Sequence, residues 1–167
     1  MKILSLVAMI TAGIWLNGLY EHGDGRETAA LLPINEPSSE AYNLNEAKKR
    51  GDVIWGYEDY NIERFRDFLA NTNAKKKDEI RITSYTMEGD PIFKDLVFDG
   101  EKFYYTYDNS HDGYAGQDKG IYKDICSEIL MEEPAEPAFI LNGCSKQIDA
   151  VEYYLMQLEP EEIIKKD

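Results

Sequence analysis

The chain has 167 residues and a formal net charge of −14. With 43% hydrophobic and 12% aromatic residues, its composition excludes an intrinsically disordered protein and allows one globular domain with a packed core. Its acidic surface repels nucleic acid phosphates and anionic lipids. We therefore expect no nucleic acid partner, and membrane contact only through the N-terminal segment.

Residues 1–19 have the pattern of a signal peptide or an N-terminal anchor. Lys2 precedes an apolar run over residues 3–16, which is shorter than the ~20 residues that span a bilayer as a helix. Residues 16–19, Leu-Asn-Gly-Leu, resemble a bacterial lipobox, but Leu19 stands where lipidation requires a cysteine. The sequence therefore predicts an exported protein, extracellular or associated with the cell envelope, that carries no lipid.

The folded region begins with two predicted helices. Residues 20–42 contain several Gly and Pro residues without periodicity, which indicates a poorly ordered linker before a single domain at 43–158 and a tail at 159–167. The first helix is predicted from Asn43 or Asn45 to Arg50, followed by an edge strand near 53–55. The second follows Asp59 or Asn61 and ends near residue 73, because its apolar residues recur at helical spacing.

From residue 79 onward the hydrophobic period changes to two, which is typical of strands. It predicts strands at 79–86, 92–98 and 101–108, with a five-residue loop at 87–91 and a two-residue turn at Asp99-Gly100 that places Leu96 opposite Phe103. Further strands are predicted at 121–130 and 138–142, and a C-terminal helix at about 148–158. The predicted fold is α+β, an antiparallel sheet of about five strands packed by one or two N-terminal helices.

Several segments resemble one family of small proteins. They are residues 78–91, Asp-Glu-Ile-Arg-Ile-Thr-Ser-Tyr-Thr-Met-Glu-Gly-Asp-Pro, residues 105–110, Tyr-Thr-Tyr-Asp-Asn-Ser, and the shorter pieces at 118–120 and 142–144. Over about residues 45–145 the chain resembles the domain of unknown function 4362 family, exported proteins and lipoproteins of Gram-positive bacteria. The resemblance implies export and a single domain, and it implies no catalytic residues.

The two cysteines, Cys126 and Cys144, predict a disulfide bond. In an exported chain an even pair of cysteines is usually oxidised, and a hairpin centred on Ala135 places position 126 opposite position 144. Two buried free thiols are the alternative interpretation.

The loop after the third of these strands contains oxygen-bearing residues at the spacing of a calcium loop. Asp108, Ser110 and Asp112 occupy alternate positions before Gly113, and Asp118 follows. Lys119 stands where a calcium loop of this kind needs a bidentate glutamate. Calcium is therefore the one cofactor that the sequence suggests, and an ordinary surface loop is the alternative.

The tyrosines suggest binding more than any residue suggests catalysis. Tyr85, Tyr104 and Tyr114 are candidates for a binding face, since tyrosine combines apolar area with a polar tip.

No motif assigns a nucleophile, and the catalytic residues of any reaction are unknown. The sequence favours a noncatalytic binding or interaction module of the cell envelope, with an unknown envelope ligand or protein as partner. A cell-envelope acid–base hydrolase, with Glu88 or Asp90 near Asp112 as paired carboxylates, is the alternative.

Fractionation of the host cells tests the prediction of export without lipid. We expect the protein outside the cytoplasm and no label in the protein after growth with radioactive palmitate, because Leu19 cannot form the thioether. A cytoplasmic protein that retains Met1 would contradict the prediction.

Overall fold

The computed structural model describes residues 42–56, 58–132 and 137–159, so the predicted signal peptide and nearly all of the predicted linker and tail lie outside the described residues. The described elements follow one another in chain order: α1 Leu44–Arg50, β1 Val53–Ile54, α2 Ile62–Asn73, β2 Asp78–Tyr85, β3 Pro91–Phe98, β4 Phe103–Asp108, a short 3₁₀ turn Gly116–Asp118, β5 Ile121–Cys126, β6 Glu128–Glu132, β7 Ala138–Asn142 and β8 Tyr154–Gln157.

The strands form two sheets, and the predicted α+β class is confirmed. The first sheet has the order β1-β2-β3-β4-β5, and the second has the order β6-β7-β8. The predicted single strand at 121–130 is wrong, because the backbone turns at Ser127 and its N–H donates to Asn142 O of β7. β1 pairs with β2 in parallel, since α2 carries the chain back across the sheet between them. All other pairs in both sheets are antiparallel.

Local capping explains where α1 begins and ends, as the sequence predicts. The Asn43 side chain accepts hydrogen bonds from the backbone N–H groups of Asn45 and Glu46. Gly51 then ends the helix with a left-handed backbone, φ 84°, which a residue without Cβ adopts freely. Asn61 precedes α2 without capping it, and its side-chain amide instead donates to Gly51 O at 2.8 Å.

The registers of the two long hairpins differ from the prediction by two residues. Phe103 pairs with Phe98 rather than Leu96, because the Asp99 carboxylate accepts the N–H groups of Glu101 and Lys102 and forms a loop of four residues instead of two. The β2–β3 loop has the predicted five residues but spans 86–90, with Tyr85 paired to Pro91. A shift of two residues leaves every side chain on the same face of the sheet as in the predicted register.

The core lies between one face of the first sheet and a layer made of α2 and the second sheet. Phe65 of α2 packs edge-on against Phe139 of β7 at 5.2 Å, and Phe68 packs against Phe103 at 6.2 Å. This cluster draws its buried residues from α2, from every described strand except β6, and from the segments that flank β7 and β8. They are Val53, Ile62, Phe65, Phe68, Ile80, Ile82, Leu96, Phe98, Phe103, Tyr105, Tyr107, Cys126, Phe139, Leu141, Cys144, Val151, Leu155, Met156 and Leu158.

The predicted C-terminal helix is wrong, since residues 154–157 form strand β8 against β7. Two buried polar groups of the first sheet hold this segment extended. Lys94 Nζ donates to Tyr154 O at 2.7 Å and contacts the Glu152 carboxylate at 2.9 Å, and the Tyr105 hydroxyl donates to Glu152 O at 2.6 Å. Burial lowers the pKa of Lys94, while Glu152 acts in the opposite direction. These contacts stabilise an extended backbone that the helical spacing of apolar residues does not reveal.

Candidate functional site

The first sheet has a second face, directed away from the core, which we call the outer face. The strand registers align its residues in rows across β2 to β5. Its members are Arg81, Thr83 and Tyr85 of β2, Phe93, Asp95 and Val97 of β3, Tyr104, Thr106 and Asp108 of β4, and Ile121, Lys123 and Ile125 of β5.

A fully buried tyrosine covers the β2–β3 half of the outer face. Tyr42 packs edge-on against the Phe93 ring at 4.7 Å, within a cluster that includes Ala47 of α1 and Ile54 of β1. Its hydroxyl donates to Asp52 Oδ2 at 2.7 Å. Tyr42 therefore belongs to the packed domain, and its assignment to the linker was wrong.

Buried polar groups beneath Tyr42 satisfy one another. Thr83 Oγ1 donates to Asp52 Oδ2 at 2.6 Å, so this carboxylate oxygen accepts two hydroxyl groups. Burial raises the pKa of Asp52, although both of these hydrogen bonds act to lower it. Arg81 forms a bidentate pair with Asp95 at 2.6 and 2.8 Å and lies 4.7 Å from the centre of the Phe93 ring. This arrangement fixes α1 and the preceding residue to the sheet.

In the β4–β5 half of the outer face, the side chains of β5 are open to solvent, whereas Thr106 and Asp108 of β4 are buried. Ile121 is 49% exposed and Ile125 is 43% exposed, on either side of the exposed Lys123. Tyr104 lies directly opposite Ile125 and is half-buried. We call these four residues the open strip; α1 packs on β1, and α2 packs on β1 and β2, away from this strip.

The three predicted binding tyrosines do not form one surface. Tyr85 lies in the covered half, where its hydroxyl donates to Tyr42 O at 3.2 Å. Tyr104 belongs to the open strip, and its hydroxyl contributes to lowering the pKa of Asp99. Tyr114 lies in the β4–β5 loop and is 79% exposed. Sequence reasoning missed Ile121 and Ile125, although two isoleucines alternating with lysine on a strand near a loop were a usable signal.

The predicted calcium ligands serve mainly as local acceptors for the backbone. Asp108 Oδ1 accepts the N–H of Ser110 at 2.8 Å, and Asp112 Oδ1 accepts the N–H of Tyr114 at 2.7 Å. Asp118 is exposed, and its carbonyl oxygen accepts from Asn109 Nδ2 at 3.0 Å. Within the described ranges, no group of three or more His, Cys, Asp or Glu residues is arranged to hold a metal ion.

The proposed carboxylate pair of a hydrolase is also engaged with the backbone. Asp90 does reach the loop that contains Asp112, because its Oδ2 accepts the N–H of Gly113 at 3.0 Å. Asp112 in turn accepts the N–H of Tyr114. Both carboxylates therefore stabilise the backbone of the β4–β5 loop.

The two cysteines lie where the chain passes from the first sheet to the second. Glu128 pairs with Asn142, the register that the predicted hairpin requires, and Cys126 and Cys144 lie at disulfide distance with their Cα atoms 3.9 Å apart. The predicted opposition of positions 126 and 144 is confirmed.

Asp124, two residues before Cys126, has a carboxylate that accepts hydrogen bonds from several protein groups. Its buried side chain accepts the hydroxyl groups of Ser145 at 2.7 Å and Tyr153 at 2.6 Å, and the backbone N–H groups of Ile125, Lys146 and Gln147. Burial by itself raises the pKa of Asp124, but the hydrogen bonds outweigh it and lower the pKa to about 2. The carboxylate therefore binds residues 145–147 and Tyr153 to β5.

Comparison with protein families gives one match. The model of the family described as "Domain of unknown function (DUF4362)" matches residues 50–138, more than half of the chain. The chain belongs to this family. No curated protein and no solved structure matches it significantly.

The DUF4362 match includes both halves of the outer face but ends at the start of β7. Tyr42, Cys144 and β8 therefore lie outside the matched residues. No helix in the described ranges is both long and apolar enough to cross a membrane.

Mass spectrometry of the native protein, digested without reductant, tests the disulfide bond. We expect a linked peptide containing Cys126 and Cys144, and reduction should lower the free energy of unfolding by roughly 3 kcal/mol, since the closed loop restricts the unfolded chain. Two thiols that react with iodoacetamide in the unreduced, denatured protein would contradict this.

Proposed function

We propose that this DUF4362 protein is an exported, noncatalytic binding module of the cell envelope, and that the open strip is its contact surface. The observation that carries the proposal is the exposure of Ile121 and Ile125 on β5, with Tyr104 directly opposite Ile125. Export itself rests on the pattern of residues 1–19.

The composition of the open strip supports recognition of a partner. Two large aliphatic side chains and a tyrosine offer apolar area that gains free energy when it is removed from water. Lys123 adds a positive charge to a protein whose net charge is −14. The favoured partner is therefore an envelope protein or polymer that presents an apolar patch beside an anionic group.

The rigidity of the strip also supports binding, because a preorganised surface loses little entropy on association. Tyr104 and Ile125 are direct neighbours across β4 and β5. Beneath them, on the core face, Tyr105 and Asp124 are held by hydrogen bonds to the C-terminal segment. The alternative of an acid–base hydrolase has no comparable support, since Asp90 and Asp112 both accept backbone N–H groups.

Co-sedimentation of the purified exported protein with isolated envelopes of its host tests this proposal. We expect saturable binding that the double substitution Ile121→Ser, Ile125→Ser weakens about tenfold, because it removes apolar area worth roughly 1 kcal/mol or more. The matched control is Met87→Ser, since Met87 is also a large, fully exposed apolar side chain but lies in the β2–β3 loop.

Two results would contradict the proposal. One is the absence of saturable binding by the unchanged protein. The other is an equal loss of binding in the Met87→Ser control, which would indicate general hydrophobic adsorption rather than a surface at the open strip.

A further inference from the structure

A cleft of about 450 Å³ lies on the core side of the first sheet, whereas the open strip lies on the outer face of that sheet. It is bounded by the C-terminal half of α2, by the paired ends of β3 and β4, and by β6. Its apolar lining comes from these three and from β7: Leu69 of α2, Phe98 and Phe103 of the hairpin, Ile129 and Met131 of β6, and Phe139 of β7. Met131 is 52% exposed at this cleft, so apolar surface remains available to a ligand.

Strand β6 adjoins this cleft and is an edge strand. It pairs only with β7, and within the described ranges no other backbone group forms a hydrogen bond with residues 128–132. Natural edge strands are usually protected by charged side chains, lysine above all, by proline or by a bulge. The sequence of β6, Glu-Ile-Leu-Met-Glu, contains no lysine or proline, and its charges stand only at its two ends. Its outer edge therefore offers unpaired N–H and C=O groups to another strand.

A strand added at this edge would have its side chains placed by the register of β6. Side chains of the added strand beside Ile129 and Met131 would point to the side of the cleft. Side chains beside Glu128 and Glu132 would lie on the other, exposed face of β6, where Glu128 also borders the cleft. A suitable segment thus alternates apolar residues, for the cleft, with basic residues, which pair with the two glutamates.

We propose that the outer edge of β6 and the adjoining cleft bind an extended, basic segment of a partner protein, which adds a fourth strand to the second sheet. Backbone hydrogen bonds supply affinity along the edge, and the cleft selects apolar side chains at alternate positions. Glu128 and Glu132, together with the net charge of −14, supply the charge complementarity that attracts a basic segment.

Charge disfavours a second copy of this chain as the occupant. In an antiparallel pair of two β6 strands centred on Leu130, Glu128 of one copy faces Glu132 of the other at both ends. Like charges directly opposite each other destabilise a strand pair. The same two glutamates that attract a basic segment therefore oppose self-association.

Fluorescence anisotropy with a labelled eight-residue peptide of alternating lysine and valine tests the proposal on the full exported protein. We expect saturable binding at physiological salt. A peptide of the same sequence with N-methyl groups on alternate backbone nitrogens should bind at least tenfold more weakly, because it cannot donate to the edge. A glutamate–valine peptide should show no saturable binding.

Variants locate the site on β6. The double substitution Glu128→Lys, Glu132→Lys should weaken binding at least tenfold, as should Met131→Asp, which places a charge at the cleft. The matched control, Glu88→Lys with Glu101→Lys, makes the same change in net charge at exposed loop positions and should alter the affinity less than twofold. Circular dichroism melting curves verify that each variant is folded.

Three outcomes would overturn the inference. They are equal affinity for the N-methylated peptide, equal weakening by the matched control, and a dimer in sedimentation equilibrium that Met131→Asp dissociates, which would assign the edge to a second copy. The Ile121→Ser, Ile125→Ser variant should keep its full affinity for the lysine–valine peptide. Failure at β6 is thereby distinguished from failure at the open strip.

Discussion

The Asp124 carboxylate is the interaction on which the arrangement of the two sheets depends. It binds residues 145–147 and the Tyr153 hydroxyl to β5, and Cys126 and Cys144 meet beside it. Gly143 completes this junction, because its φ is 62° and a Cβ atom there would collide with Ser127 Oγ. With residues 143–147 fixed, the second sheet packs over the core face and leaves the outer face uncovered by β6, β7 and β8.

This junction determines which surfaces stay available to partners. Because the chain turns at Ser127, β6 pairs with β7 rather than extending the first sheet, and it becomes an edge strand beside an apolar cleft. The same turn leaves the exposed side chains of β5 on the outer face without a covering layer. The binding role that we propose needs accessible surfaces, and this one junction leaves two such surfaces that differ in chemistry.

The sequence correctly predicted the helices and strands that are determined by local interactions. It failed for segments whose structure depends on contacts between residues far apart in the chain. Asn43 and Gly51 define α1 locally, and period-two alternation identifies β2 to β4. The β3–β4 register was missed because the Asp99 side chain lengthens the turn. The helix predicted at about 148–158 is wrong because Lys94, sixty positions before Tyr154, donates a hydrogen bond to the Tyr154 carbonyl oxygen and holds the segment extended. The alternation of Ile121 and Ile125 with Lys123 can be read from the sequence. The exposure of the two isoleucines cannot, because it depends on how both layers pack.

The dependence of stability on pH, for the native protein and for Asp124→Asn, tests the central role of Asp124 most directly. Folding lowers the pKa of Asp124 from 3.8 to about 2. The contribution of this carboxylate to the free energy of unfolding is therefore fully present above pH 3.8 and is lost as the pH falls to about 2. We predict that the variant is less stable by about 2 kcal/mol at neutral pH and that this difference shrinks steadily towards pH 2. Equal stability at neutral pH, or a difference that does not change with pH, would contradict the account.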